Sequence, residues 1–397
     1  MLNLKRRSAL LGLSAAFTTG RVSLALADAP TDRRFVVVLL RGALDGMSAV
    51  VPYGDRDLVG LRGELLPAGP GQPGGLLDLG GFFGMHPSLA NVHRMYQAGE
   101  ALAVHAVAGP YRVRSHFEAQ DYMESGADHR LSSGWLNRAV ATMPGALNNR
   151  PDGNALAIGV AVPLLLRGPA MVGNWAPHGN VEPPDSLYHE IAALNGPDRV
   201  TGPAIAEGLR GRGFATSVMT GDENPDPRER YTFPALARAG GELLRAAEGP
   251  RIAALEIYGW DTHVAQTPRL DRVLKQLDGG MQGLKDGLGP AWEQSVVLLM
   301  TEFGRTARVN GTKGTDHGTA SVAFVLGGSV AGGRVAGQWP GLGAGQLFQN
   351  RDLAPTTDVR SVAKGLLAEH LGLQETMFAS VFPGNGSAPR MRGLVRA

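Results

Sequence analysis

Six short stretches of almost unbroken apolar residues decide what this chain can fold into. They cover residues 35–40, 101–107, 155–160, 252–258, 295–300 and 321–326. A strand that is apolar at nearly every position has to be covered on both faces, and a mostly parallel sheet between two helix layers provides that. Helical spacing supplies the covering layers over residues 87–99, with Leu89, Val92 and Met95 on one face, and over 233–247, 270–288 and 359–371. The alternation predicts an α/β domain over residues 30–385. Two segments interrupt it. Residues 61–81 are rich in Gly, Pro and Leu and read as a surface loop, and residues 144–230 read partly as a Gly/Pro-rich insertion or cap over the sheet edge. Residues 386–397 read as a flexible tail.

The first 27 residues have the form of an export signal. Lys5, Arg6 and Arg7 precede a short apolar run, and Ala25-Leu26-Ala27 offers a small-residue cleavage site. The Arg6-Arg7 pair predicts the twin-arginine route, hence a partner in that export machinery and a periplasmic or secreted destination. That route carries folded proteins, which suits a chain that takes up metal before export. Loss of Lys5, Arg6, Arg7 and Arg21, with no acid, turns the formal charge from +2 to −2. The basicity thus belongs to the signal, and nucleic-acid binding has no support. No later apolar run is long enough to cross a membrane as a helix. Cysteine is absent, which excludes disulfides, zinc–thiolate sites and cysteine nucleophiles.

The residues that could carry chemistry follow the apolar stretches, where open α/β sheets hold their ligands. Asp45 comes after the first, between Gly42 and Gly46; it is either a metal ligand or a turn Asp before Gly. Arg114-Ser115-His116 follows the second. Ser115 either caps the next helix or acts as a nucleophile at a helix amino terminus. His116 could bind metal or position substrate, and Arg114 could pair with a phosphate or sulfate group. Asp261 and His263 follow the fourth stretch and, two residues apart, can face the same side. Glu302 and Arg305 follow the fifth. Glu302 is a ligand or a carboxylate that orients a histidine; Arg305 binds an anionic leaving group or pairs with Glu302. Asp316-His317, flanked by Gly314 and Gly318, is the sharpest ligand pair. Mixed carboxylate and imidazole ligation permits one or two divalent ions, with zinc, manganese, magnesium and calcium all open. His105 reads as a core histidine, and His129, His178, His189 and His370 as loop or helix-surface residues.

Five motifs, in order, resemble the exported bacterial family known as domain of unknown function 1501: the segment 40–46, Arg114-Ser115-His116-Phe117, the segment 259–263, the segment 301–306, and Thr315-Asp316-His317-Gly318. The resemblance implies an alkaline phosphatase-like three-layer α/β/α sandwich around a largely parallel sheet, and a two-metal centre. It places the first acid at Asp45, the hydroxyl nucleophile at Ser115, and further ligands at Asp261, His263, Asp316 and His317. The Asp261–His263 spacing is shorter than that superfamily's, and a late histidine ligand has no match, which leaves room for a single metal or an inactive site. Two functions follow. One is an exported metal-dependent hydrolase of phosphate or sulfate esters acting on an anionic substrate. The other is a non-catalytic cell-envelope protein that keeps the fold and binds a polysaccharide or a partner.

Overall fold

The computed structural model describes residues 32–143, 155–177, 185–195, 201–219, 231–384 and 388–396. The expected signal, residues 1–27, lies outside them, as does His178.

All six apolar stretches form strands of one nine-stranded sheet. In chain order the strands are β1 (Arg34–Arg41), β2 (Ala101–Ala108), β3 (Ala155–Ile158), β4 (Val172–Trp175), β5 (Ile252–Tyr258), β6 (Ser295–Met300), β7 (Ser321–Leu326), β8 (Arg334–Ala336) and β9 (Thr357–Asp358). Across the sheet they run β8-β2-β7-β6-β1-β5-β3-β4, and β9 also pairs with β2. β1 lies at the centre, parallel to β5 and β6. β7 is antiparallel to both of its neighbours, β6 and β2.

Every residue of β1 is buried, and successive residues feed opposite layers. Val36, Val38 and Leu40 pack with helices over Ala90–Gln97, Phe233–Arg245 and Gln266–Leu288. Phe35, Val37 and Leu39 pack with helices over Trp135–Thr142 and Val359–Glu369. The result is the expected three-layer α/β/α sandwich with a mostly parallel central sheet.

Within 144–230, the expected strand β3 and a further strand, β4, extend the sheet in parallel from β5. Two expectations need correction. The expected flexible tail instead docks: Leu394 is fully buried, and the Glu369 carboxylate accepts backbone N–H bonds from Gly393, Leu394 and Val395. His370 is buried and not on a helix surface, with Nε2 at 2.9 Å from the Arg34 carbonyl oxygen. His105 is a core histidine, stacked on Phe83 and at 2.9 Å from the Val50 carbonyl oxygen. Among the described residues, no helix is long and apolar enough to cross a membrane.

Candidate metal centre

The parallel strands β1, β2, β5 and β6 deliver the residues that follow them to one rim of the sheet. Because β7 is antiparallel, the residues that precede it reach the same rim, and so Asp316 and His317 join the others. Loop pairing fixes their place. The Thr306 N–H donates to the Asp316 carbonyl at 2.9 Å and the Gly318 N–H to the Gly304 carbonyl at 2.8 Å. Gly314 allows the close approach: a Cβ there would lie 2.1 Å from the His263 carbonyl oxygen.

Three imidazoles and one carboxylate converge at this rim. His317 Nε2 lies 3.0 Å from His116 Nε2 and 2.9 Å from His263 Nε2. Asp261 Oδ1 lies 3.0 Å from His263 Nε2, 3.3 Å from His317 Nε2 and 3.6 Å from His116 Nε2. Each ring is held from behind through its other nitrogen. His116 Nδ1 is 2.8 Å from Glu302 Oε1, His263 Nδ1 is 2.9 Å from Asp316 Oδ1, and His317 Nδ1 is 3.1 Å from the Arg114 carbonyl oxygen. All three of those partners can only accept, so each Nδ1 must carry the proton. Three Nε2 lone pairs and a carboxylate oxygen then face one another. Without a positive charge between them this arrangement is repulsive. The 3.0 Å between His116 Nε2 and His317 Nε2 is close to the spacing of two imidazoles on a tetrahedral ion, roughly 3.3 Å for metal–nitrogen bonds of about 2.0–2.1 Å. The donor set fits a borderline divalent cation such as zinc better than magnesium or calcium, which favour oxygen.

Both carboxylates of the cluster are held ionised. Burial would raise the Glu302 carboxyl, but hydrogen bonds from His116, Gln120 and the Gly42 N–H hold it below the usual range. Burial would likewise raise Asp261, but Arg305, with His263 and His116, outweighs it, so this carboxyl is also lowered. The neighbouring rings are pushed in opposite directions. Burial pulls His116 down, but Glu302 and Asp261 carry it above the ordinary value, whereas burial and then the field of His116 lower His317. Strain collects here as well. Ala43, Arg114, Ala265 and Lys313 all take left-handed φ between +47° and +65° beside these residues, as backbone at functional sites often does.

Not every expected residue joins the cluster. Asp45 is buried against Arg62 and also accepts from Gln266 Nε2 at 2.6 Å and Ser48 Oγ at 2.8 Å, so its charge is spent on a structural ion pair. Asp316 holds the far nitrogen of His263 and does not itself face the convergence point. Arg305 is buried, with Nη1 on Asp261 at 2.7 Å, and does not pair with Glu302 or stand free for a leaving group. Arg114 is tied to the buried Asp352, with Nε at 3.0 Å and Nη2 at 2.7 Å. Ser115 precedes the helix His116–Ser125 without a side-chain capping bond. Among the described residues, one carboxylate–histidine cluster of this kind is present, built on His116, Asp261 and His317. Sequence reading missed Arg62 and Gln266. Nothing in the sequence marks Arg62, while Gln266 stands three residues after His263 at a helix start and could have been suspected.

The family model described as a protein of unknown function (DUF1501) matches residues 83–381. The chain belongs to that family. No curated protein matches this DUF1501 chain by sequence. Among solved structures, it is similar to the phosphonate monoester hydrolase of Agrobacterium radiobacter, at 9% identity over 90% of this chain and 79% of that one, with a TM-score of 0.36. It is also similar to the C-terminal periplasmic domain of EcEptC from Escherichia coli, at 8% identity over 92% and 91%, TM-score 0.37. A third is the alkaline phosphatase from the Antarctic bacterium TAB5, at 12% over 74% and 91%, TM-score 0.32. All three scores lie below 0.5, so the DUF1501 site stands on its own geometry.

Glu302 gives a direct test of the outer layer. Glu302→Gln keeps the shape but loses the charge that fixes the His116 ring, and metal affinity should fall by about 10–100-fold, the usual effect of such partners. Competition against a metallochromic chelator measures it; unchanged affinity would show that this carboxylate does not tune the centre.

Proposed function

We propose that this protein is an exported, metal-dependent hydrolase of phosphate or sulfate esters. One observation carries the reading: His116 Nε2, His317 Nε2 and Asp261 Oδ1 lie within 3.6 Å of one another, with His263 Nε2 against the last two, while every Nδ1 is anchored elsewhere. His116, His317 and Asp261 would hold a divalent ion, with His263 beside His317 and Asp261. Such an ion supplies Lewis acidity toward an ester oxygen.

The protein's own residues do the remaining work. Glu302, Asp316 and the Arg114 carbonyl fix the three rings, so little reorganisation accompanies binding. Arg305 holds Asp261 at one oxygen. The Asp261 side chain remains 45% exposed, which leaves a way in for substrate. Ser115 is the proposed nucleophile. It adjoins His116 at the start of a ten-residue helix, where the dipole favours an anion, and its hydroxyl is not used as a cap. A twin-arginine signal over 1–27 and a periplasmic or secreted location complete the proposal.

One feature favours the second reading, a non-catalytic envelope protein. Both candidate arginines are committed to carboxylates, and neither is free to neutralise a transferring group. A panel of chromogenic phosphate and sulfate esters, run with zinc-loaded and manganese-loaded protein, separates the two. The hydrolase reading expects turnover of at least one ester and its loss in Ser115→Ala. Turnover that survives in Ser115→Ala removes the nucleophile assignment. No turnover with a full complement of metal leaves the binding protein.

A further inference from the structure

A cleft of about 270 Å³ opens directly beside Asp316, on the flank of the metal centre. Arg308 and Arg351 line it, together with the aliphatic side chains of Leu61, Val309 and Leu347. Both arginines are exposed and only lightly engaged. Arg308 donates to the Gly60 carbonyl at 3.2 Å. Arg351 donates to Asp352 Oδ1 at 3.1 Å. Asp352 is fully buried and already accepts from Arg114 and from Thr319 Oγ1, so one carboxylate serves two guanidinium groups. The Asp316 carboxylate, also in the lining, is bonded through one oxygen, Oδ1, to His263 Nδ1 and Asn310 Nδ2, at 2.9 and 3.1 Å. Arg308, Arg351 and Arg114 outnumber the carboxylates of Asp316 and Asp352, so one positive charge is left over against an aliphatic wall, which strengthens charge pairing there. Gln349 and Asn350, just before Arg351, both take left-handed φ, +54° and +53°. They are the centre of a tight turn, in which the Arg351 N–H donates to the Phe348 carbonyl at 3.1 Å, and this turn brings Arg351 to the cleft.

We infer that this cleft is a subsite for a second oxyanion of the substrate, a sulfate, phosphate or carboxylate group set one unit away from the ester at the metal centre. Planar guanidinium groups pair with such oxyanions through two parallel bonds. The role of the cleft in substrate choice rests on the hydrolase reading, whereas its ability to bind an oxyanion does not. The preferred substrate would then be a polyanion, such as a saccharide carrying two or more acidic groups, and not a simple monoester.

The test is calorimetric titration of the full chain with a disulfated disaccharide and with its unsulfated parent, before and after removal of metal by chelation. The sulfated sugar should bind at least about tenfold tighter than the parent. Arg308→Gln and Arg351→Gln should each weaken it by about tenfold with no change in melting temperature, because both side chains are exposed. Inorganic sulfate, phosphate or acetate should compete, and the best competitor identifies the oxyanion. Equal binding by the variants, or no competition from any of the three, overturns the subsite. Binding that vanishes with chelation also overturns it, because the sugar then sits on the metal, and the hydrolase reading survives. Binding that persists in protein that never takes up metal supports the subsite and counts against that reading.

Discussion

Replacing His317 with alanine is expected to leave a folded protein that no longer retains a stoichiometric divalent ion and has no ester hydrolysis. His317 is the hub of the cluster, within 3.3 Å of the facing atoms of His116, His263 and Asp261. The remaining donors no longer surround a common point once it is gone. The loss should exceed the about 10–100-fold expected for an outer partner such as Glu302. The fold should persist, because the half-exposed ring contributes little to the core. Metal analysis after gel filtration, alongside the thermal midpoint, reads both quantities. The wild type should hold about one ion per chain, since one convergence point is present among the described residues. Two tightly held ions in the wild type, or one ion kept by His317→Ala, would remove this centre.

Arg62→Ala should have the largest effect on stability. Arg62 and Asp45 are each 1% exposed, and Arg62 also donates to the Ala307 carbonyl at 2.7 Å and the Thr306 carbonyl at 2.6 Å. Removing one partner leaves a buried carboxylate without its counter-charge, at a cost of about 3–5 kcal/mol. One Asp45 oxygen, Oδ1, already has no hydrogen-bond partner, so the site has little reserve. Denaturant unfolding of wild type and variant reads the difference, and a shift below about 1 kcal/mol would class the pair with weak surface bridges. The same pair predicts a pH dependence. Burial would raise the Asp45 carboxyl, but Arg62, Gln266 and Ser48 hold it below its ordinary value in the folded state. A depressed folded pKa means that this contribution is full above the unfolded value, about 3.9, and is lost as pH falls from there through the folded value. Wild type should lose stability over that acid range more steeply than Asp45→Asn.

The two variants separate scaffold from site. Asp45 and Arg62 reach the cluster only through intermediaries: Gln266 receives from Thr315 Oγ1 at 2.6 Å, and Thr315 accepts from Arg305, which holds Asp261. Arg62→Ala should therefore destabilise the protein while its folded fraction keeps its metal, the reverse of His317→Ala.

The sheet was legible because its strands had to be apolar on both sides, and that demand is local. Residues 252–258 and 295–300 announce themselves without knowledge of their neighbours. Asp261, His263 and His317 were legible for a related reason, since they stand beside strand ends and glycines that admit close backbone approach. Their roles were less so. Asp45 looks like the other rim carboxylates in sequence, and only the fold reveals that Arg62, seventeen residues away, claims it. Asp316 and His317 are adjacent in the chain, yet one grips a ring from behind while the other faces the convergence point. Arg114 and Arg305 looked free and are not. A sequence records which groups are available and how the backbone can repeat, because these depend on neighbours a few residues apart. Which charge neutralises which is decided by distances of about 3 Å between segments hundreds of residues apart, and those distances exist only once β7 has turned back against its neighbours.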